Sequence, residues 1–165
     1  MIIGIDFDNT IADYTKLFTY LAVTQKYIKK NSKISNKYLV KSKILNLNNG
    51  EKKWMKLQGV AYGKHMLKAQ VMTGFYNFLY LCKSRNYKIY IVSHKTKYGH
   101  YDKTKTLLRK KALEWIKTND LLNKSFSNIS KKDIFFYSSQ SKKINNIKNL
   151  RCDIFIDDLE SIFDN

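Results

Sequence analysis

The chain has 165 residues, enough for one domain with a substantial core and a small insertion, and its 44% hydrophobic and 14% aromatic content excludes a disordered chain. No apolar run reaches the roughly 18 residues a membrane helix needs, which excludes a membrane-spanning helix. Thirty-one Lys and Arg against thirteen acidic residues give a net charge of +18, which favours anionic partners. Arginine is scarce while Lys, Asn, Ile and Tyr abound. AT-rich codons would produce this pattern whatever the function, so a compositional origin is preferred over a nucleic-acid partner. Cys82 and Cys152 lie far apart and form no CxxC spacing. They read as reduced core residues of a cytoplasmic protein, and the N-terminus carries no secretory pattern.

In chain order, the apolar run of residues 2–7 predicts a buried strand. Residues 13–29 carry Leu17, Phe18, Leu21 and Ala22 at helical spacing, with Asp13 as the expected cap. Residues 30–50 are irregular and rich in Lys, Asn and Ser, ending in the turn signal Asn48-Asn49-Gly50. Short helices are expected at 51–59 and 64–72, broken near Gly59 and Gly63. A more apolar helix follows at 73–84, capped by Thr73. Residues 87–93 predict a clear strand, followed by a polar loop and a helix over 103–119. Strand 133–139, helix 141–150 and strand 152–157 complete the chain. Strands alternating with helices predict an α/β fold, a Rossmann-like three-layer α/β/α sandwich around a mostly parallel sheet. Residues 1–13 and 73–165 form its expected core. Residues 14–72 do not continue the alternation and read as a small helical insertion after the first strand.

Two strands end in paired acids: Asp6 and Asp8 after the first, Asp157 and Asp158 after the last. Residues two apart on an extended chain point to one side, and like charges there raise the cost of ionising each other. In a chain with so few acids, two such pairs call for a compensating cation. Ligands in parallel sheets bind beyond the carboxyl ends of the strands. Carboxylates gathered there suit a hard cation, by default Mg²⁺, which also pairs with phosphates.

"DFDNT" before a hydrophobic residue, "IVS" at a strand end, a lysine before the last strand, and "FIDD" together resemble the four motifs of the haloacid dehalogenase-like hydrolase superfamily. They occur in that family's order and span residues 6–158. The insertion resembles its type-one cap, and the arrangement looks most like the small phosphatases and nucleotidases of the group. The resemblance implies that Asp6 attacks the substrate phosphorus and that Asp8 exchanges the proton. It implies that Ser93 hydrogen-bonds the phosphoryl group and that a lysine balances its charge. Lys143 sits at the favoured distance from "FIDD", with Lys142 second. Asp6, the Asp8 carbonyl, Asp158 and the adjacent Asp157 would hold the metal. Asp8 itself points to phosphate esters rather than carbon–halogen bonds, because an alkoxide leaving group needs a proton and a halide does not.

Thr10, His94 and Lys95 near the strand ends, and Lys64 in the insertion, are candidate substrate contacts. Trp54 and Trp115 read as packing residues. No GxGxxG or P-loop pattern is present. The expected activity is Mg²⁺-dependent hydrolysis of a small phosphomonoester, either a phosphorylated metabolite or a nucleotide. The alternatives are a nucleotidase or nucleic-acid-end phosphatase, and a basic nucleic-acid-binding module without catalysis. Neither the substrate nor the oligomeric state is encoded in a motif.

Overall fold

The four apolar runs expected as strands join one parallel sheet. The computed structural model describes residues 1–30 and 36–162. Its strands β1 (Ile2–Ile5), β4 (Lys88–His94), β5 (Ile134–Tyr137) and β6 (Ile154–Ile156) lie in the order β5-β4-β1-β6. β1 pairs with β4 from Ile2↔Lys88 to Ile5↔Ile91, and with β6 from Ile3↔Ile154 to Ile5↔Ile156. β4 and β5 pair from Ile91↔Ile134 to His94↔Tyr137. The strand order reverses at β1, whose next neighbour in the chain's path lies on one side and β6 on the other. That reversal opens a crevice at the carboxyl ends of β1 and β6, where a parallel sheet binds ligands. Two further short strands, β2 (Ala12–Asp13) and β3 (Gln70–Val71), form a separate two-stranded pair.

The chain divides into two compact units. The first comprises 1–13, 71–96 and 113–165 and holds the parallel sheet. Ile3, Ile5, Ile89, Ile91 and Val92 are buried in it, as continuous apolar strands covered on both faces require. Phe7 packs edge-on against Trp115 at 5.4 Å and Phe136 at 5.9 Å, centroid to centroid. Around the sheet lie α4 (Phe75–Ser84), the C-terminal part of α5 (Leu108–Thr118) and α6 (Gln140–Asn149). Gly74, not Thr73, occupies the cap position of α4. Its φ of 85° is the left-handed conformation that glycine adopts without strain.

The second unit comprises 14–70 and 97–112. It holds α1 (Thr15–Thr24), α2 (Lys37–Leu45) and α3 (Gly50–Tyr62). Tyr14 rather than Asp13 stands at the cap position of α1, without a side-chain cap bond. The unforeseen α2 is capped by Asn36, which accepts from the Leu39 amide. Residues 31–35 of the expected irregular stretch lie outside the described residues. Residues 64–72, expected as a helix, form only a 3₁₀ turn (Met66–Lys68) and β3. The aromatic core stacks Phe18 on Trp54 at 5.0 Å and sets Tyr14 edge-on to Tyr62 at 4.9 Å. The Tyr14 hydroxyl donates to the Met66 sulfur at 2.9 Å.

α3 runs through Gly59 without a break. A Cβ there would lie 2.9 Å from the His100 carbonyl, and one on Gly99 would lie 2.6 Å from the Gly59 Cα. The two glycines therefore let the loop after β4 lie directly on α3, so residues 97–112 cluster with the second unit rather than with the sheet, where the sequence reading put them.

The entry to β5 yields a pH-dependent prediction. Asp133 is buried, accepts from the Ser130 amide and hydroxyl, and pairs with Lys88 at 2.6 Å. Burial alone would raise its pKa, but hydrogen bonds from Lys88 and Ser130 outweigh burial and hold it below the ordinary carboxylate value. A depressed folded-state pKa gives stability that is present above the unfolded value and lost as pH falls through the folded one. Asp133→Ala is expected to cost about 2 kcal/mol at neutral pH. Urea melts of wild type and variant should converge as pH falls through the depressed folded-state value. A difference that persists in acid would assign the effect to packing alone.

Candidate active site

The acidic residues of the site stand in the segments just past the ends of β1 and β6. The Asp6 amide continues the ladder by donating to the Ile156 carbonyl at 2.8 Å, which brings the segments after β1 and β6 side by side. One carboxylate oxygen from each of Asp6, Asp157 and Asp158 then falls within 4.8 Å of the others. Asp6 of the first acidic pair thus meets both acids of the second, some 150 positions away in sequence, while Asp8 lies outside this group.

Lys143 joins them. It lies on the inner face of α6, one residue past the first turn, and is 1% exposed. Its Nζ donates to Asp6 Oδ1 at 2.6 Å and to Asp157 Oδ2 at 2.5 Å. Ser139 caps this helix by accepting from the Lys142 amide, which starts α6 where Lys143 turns inward and Lys142 stays exposed. Asp157 spends its other oxygen on the Leu159 amide at 3.0 Å. Burial raises the Asp6 carboxyl to about 7; Lys143 opposes that rise, and the charges of Asp8 and Asp157 add to it. Asp6 is thus a carboxyl whose ionised form the protein alone supports poorly and a nearby cation would favour.

Asp8 is held by a different lysine. Lys95, expected as a loop residue facing substrate, is 3% exposed. Its Nζ donates to both Asp8 oxygens, at 3.0 and 2.7 Å, and lies 5.3 Å from the centre of the Phe7 ring. Its amide donates to the Tyr137 carbonyl at 2.7 Å, which extends β4 past His94. His94 is exposed, with Nε2 at 3.1 Å from the Ser138 carbonyl. Ser93 is buried in β4, and its hydroxyl has no hydrogen-bond partner; the buried Thr10 hydroxyl is in the same state. Buried hydroxyls without partners are costly, so each points to a group that arrives from outside. Thr10 borders a cavity of about 250 Å³ with Ile5, Met72, Gly74, Phe75 and Ile156. Lys64 is exposed in the second unit, between α3 and the 3₁₀ turn.

Asn9 was not foreseen as a site residue. Its φ of 63° is left-handed, a conformation asparagine tolerates better than most residues. The Phe7 carbonyl accepts from the amides of Ile11 and Ala12, closing a tight turn around Asn9. The Asn9 side chain then donates to Asp158 Oδ2 at 2.9 Å. The signal was present in "DNT": a turn-forming Asn immediately after the acidic pair.

The donor set suits a divalent ion with hard ligands. Asp6, Asp8, Asp157 and Asp158 carry four negative charges when ionised, and Lys95 and Lys143 offset two. The two charges that remain are those a single Mg²⁺ neutralises, and three carboxylate oxygens already stand in a group.

The crystal structure of a HAD-superfamily hydrolase from Ehrlichia chaffeensis matches 98% of this chain and 80% of its own, with a TM-score of 0.50 and 18% sequence identity. No family model and no curated protein matches. The structural likeness, together with the parallel β5-β4-β1-β6 sheet, gives this chain the haloacid dehalogenase-like fold. Among the described residues no helix is long and apolar enough to cross a membrane. Cys82 is buried, Cys152 half-buried, and both are unbridged.

Proposed function

We propose that the protein is a Mg²⁺-dependent phosphohydrolase acting on small phosphomonoesters through a phosphorylated Asp6. The observation that carries this reading is the buried Asp6–Lys143–Asp157 array, with Asp158 in reach and the unpartnered Ser93 hydroxyl in the neighbouring strand. Asp6, Asp158, Asp157 and the Asp8 carbonyl would hold the ion, which supplies charge neutralisation at the phosphoryl oxygens.

The residues of the chain divide the remaining work. Lys143 engages Oδ1 of Asp6 and leaves Oδ2 for attack on phosphorus. As the Oδ2–P bond forms, the bond from phosphorus to the ester oxygen breaks and its electron pair leaves with that oxygen. For this step Asp8 would carry a proton on one oxygen, Lys95 keeping the other, and pass it to the departing oxygen. In the second half, Asp8 as carboxylate takes a proton from water while the water oxygen attacks phosphorus. The P–Oδ2 bond breaks, its electron pair returns to Asp6, and inorganic phosphate is released. Lys95 holds Asp8 in one orientation through both of its oxygens. The Ser93 hydroxyl donates to the phosphoryl group and thereby gains the partner it lacks. Lys143 balances negative charge on Asp6 and on the transferring group.

A panel of phosphorylated metabolites, nucleotides and an aryl phosphate, assayed with Mg²⁺ and with EDTA, tests the reading. Phosphate release from at least one monoester, lost in EDTA and restored by added Mg²⁺, is the expected result. Release that is indifferent to EDTA, or absent across the panel, would sink it.

A further inference from the structure

We propose that the second unit carries a binding site for single-stranded nucleic acid, in a cleft between α3 and the loop after β4. The cleft has a volume of about 430 Å³ and is lined by Lys52, Lys56, Gly99, Tyr101, Asp102 and Lys103. This inference goes beyond the chemistry of Asp6 and is tested by binding alone.

The local sequence builds the cleft in steps. Lys52 and Lys56 are four residues apart on α3, so they stand one turn apart on the same exposed face. The close approach of Gly59 and Gly99 sets the loop on that helix. Asp102 then fixes the loop's shape: Oδ1 accepts from the Thr104 amide and hydroxyl, and Oδ2 from the Thr106 amide. Asp102 lines the cleft as well and carries one negative charge against the three lysines. Among the described residues, Lys52, Lys56 and Lys103 form no ion pair with a carboxylate.

Tyr101 is the other half of the argument. Its φ is 60°, a left-handed conformation that a bulky side chain adopts at a cost. Such strain persists where the surroundings enforce it, and it often marks a binding surface. Here it presents a ring that is 54% exposed rather than buried. Lys52 Nζ lies 5.5 Å from the centre of that ring. An exposed ring among three ammonium groups, with a net positive charge after Asp102 is counted, offers stacking to a base and charge to the phosphates on either side. Those are the two elements of sequence-tolerant single-strand binding. Duplex bases are already stacked and withhold their faces, so the ring selects the single strand.

The test is fluorescence anisotropy with a labelled oligothymidylate of about 12 nucleotides, measured across a salt series. Tyr101→Ala should weaken binding about fivefold or more at fixed salt. Replacing Lys52, Lys56 and Lys103 together by Ser should weaken binding and lower the salt slope by about 2. Because a chain of net charge +18 attracts any polyanion, the control removes the same charge elsewhere, at exposed Lys131, Lys132 and Lys148. Equal losses in the two triple variants would overturn the proposal, as would unchanged binding by Tyr101→Ala. Duplex bound as tightly as the single strand, or thymidine monophosphate bound as tightly as the oligonucleotide, would also overturn it. Circular dichroism establishes that each variant is folded. Should the lysine triple variant fail to fold, Tyr101→Ala and the competition arms decide.

Discussion

Asp6→Asn is expected to lower turnover of the best phosphomonoester by roughly 10⁴-fold or more, since no other group replaces a missing nucleophile. The amide matches the carboxyl in size, so Lys143 keeps Asp157 as partner at 2.5 Å and the array stays in place. The cost to folding should therefore be small. In metal-free protein it should even reverse, because an ionised Asp6 is buried beside Asp8 and Asp157, and its pKa stands at about 7. A folded-state value raised above the unfolded one means that ionising Asp6 withdraws stability as pH rises from the unfolded value toward 7. With EDTA present at about pH 8, Asp6→Asn should melt at or above the wild-type temperature; near pH 4, where Asp6 is protonated in the native state, that advantage should vanish. Loss of turnover with unchanged stability separates a chemical role from a structural one. Rapid-quench labelling with a phosphate-labelled substrate should show protein-bound label in wild type and none in the variant. Wild-type-like turnover by Asp6→Asn would remove the covalent mechanism outright.

The parts of the fold that could be read in advance are those where one force dominates. Ile2–Ile5 and the apolar stretch 89–92 at the centre of the sheet register as strands without ambiguity. The acids after β1 and β6 stood out because the chain is poor in acid. The rule that ligands gather at the carboxyl ends of parallel strands pointed to one edge of the sheet for them, where Asp6 stands with Asp157 and Asp158. The failures have the opposite character. α2 has little amphipathic pattern, and its start depends on the single cap bond of Asn36. β2 and β3 have two residues each, too short for any period. The loop after β4 clusters with the second unit because two distant glycines touch, a fact that neither glycine's neighbours announce. Lys95 shows how side-chain length defeats local reading: a residue two past Ser93 looks loop-like, yet its ammonium folds back to both oxygens of Asp8. Asn9, whose left-handed turn lets its side chain reach Asp158, was not read as a site residue because the contact depends on that turn.

The second large effect concerns the lysine that two neighbours contest. Lys143→Met leaves the Asp6 and Asp157 carboxylates facing each other in a buried space without a cation. Removing one member of a buried ion pair costs about 3–5 kcal/mol, because the group left behind keeps its desolvation and loses its partner. The cost falls mainly on Asp157, whose side chain is fully buried, because Asp6, already raised to about 7, can take a proton when Lys143 is gone. Lys142 is exposed one position earlier on α6, so Lys142→Met should change stability by no more than about 0.5 kcal/mol. Guanidinium melts of the two variants should therefore differ by several kcal/mol, although their sequences differ only in which adjacent lysine is lost. Turnover should separate them further: Lys142→Met stays within a few-fold of wild type, while Lys143→Met loses roughly 10³-fold or more, the scale of removing a group that stabilises transition-state charge. Lys143→Arg tests whether charge alone suffices. The guanidinium is larger and planar, and a 1%-exposed site built around a single Nζ contacting two oxygens has no room for its fork. The Arg variant should regain part of the stability and little of the rate. Equal behaviour of Lys142→Met and Lys143→Met would mean that the array around Asp6 is not the centre of the chemistry.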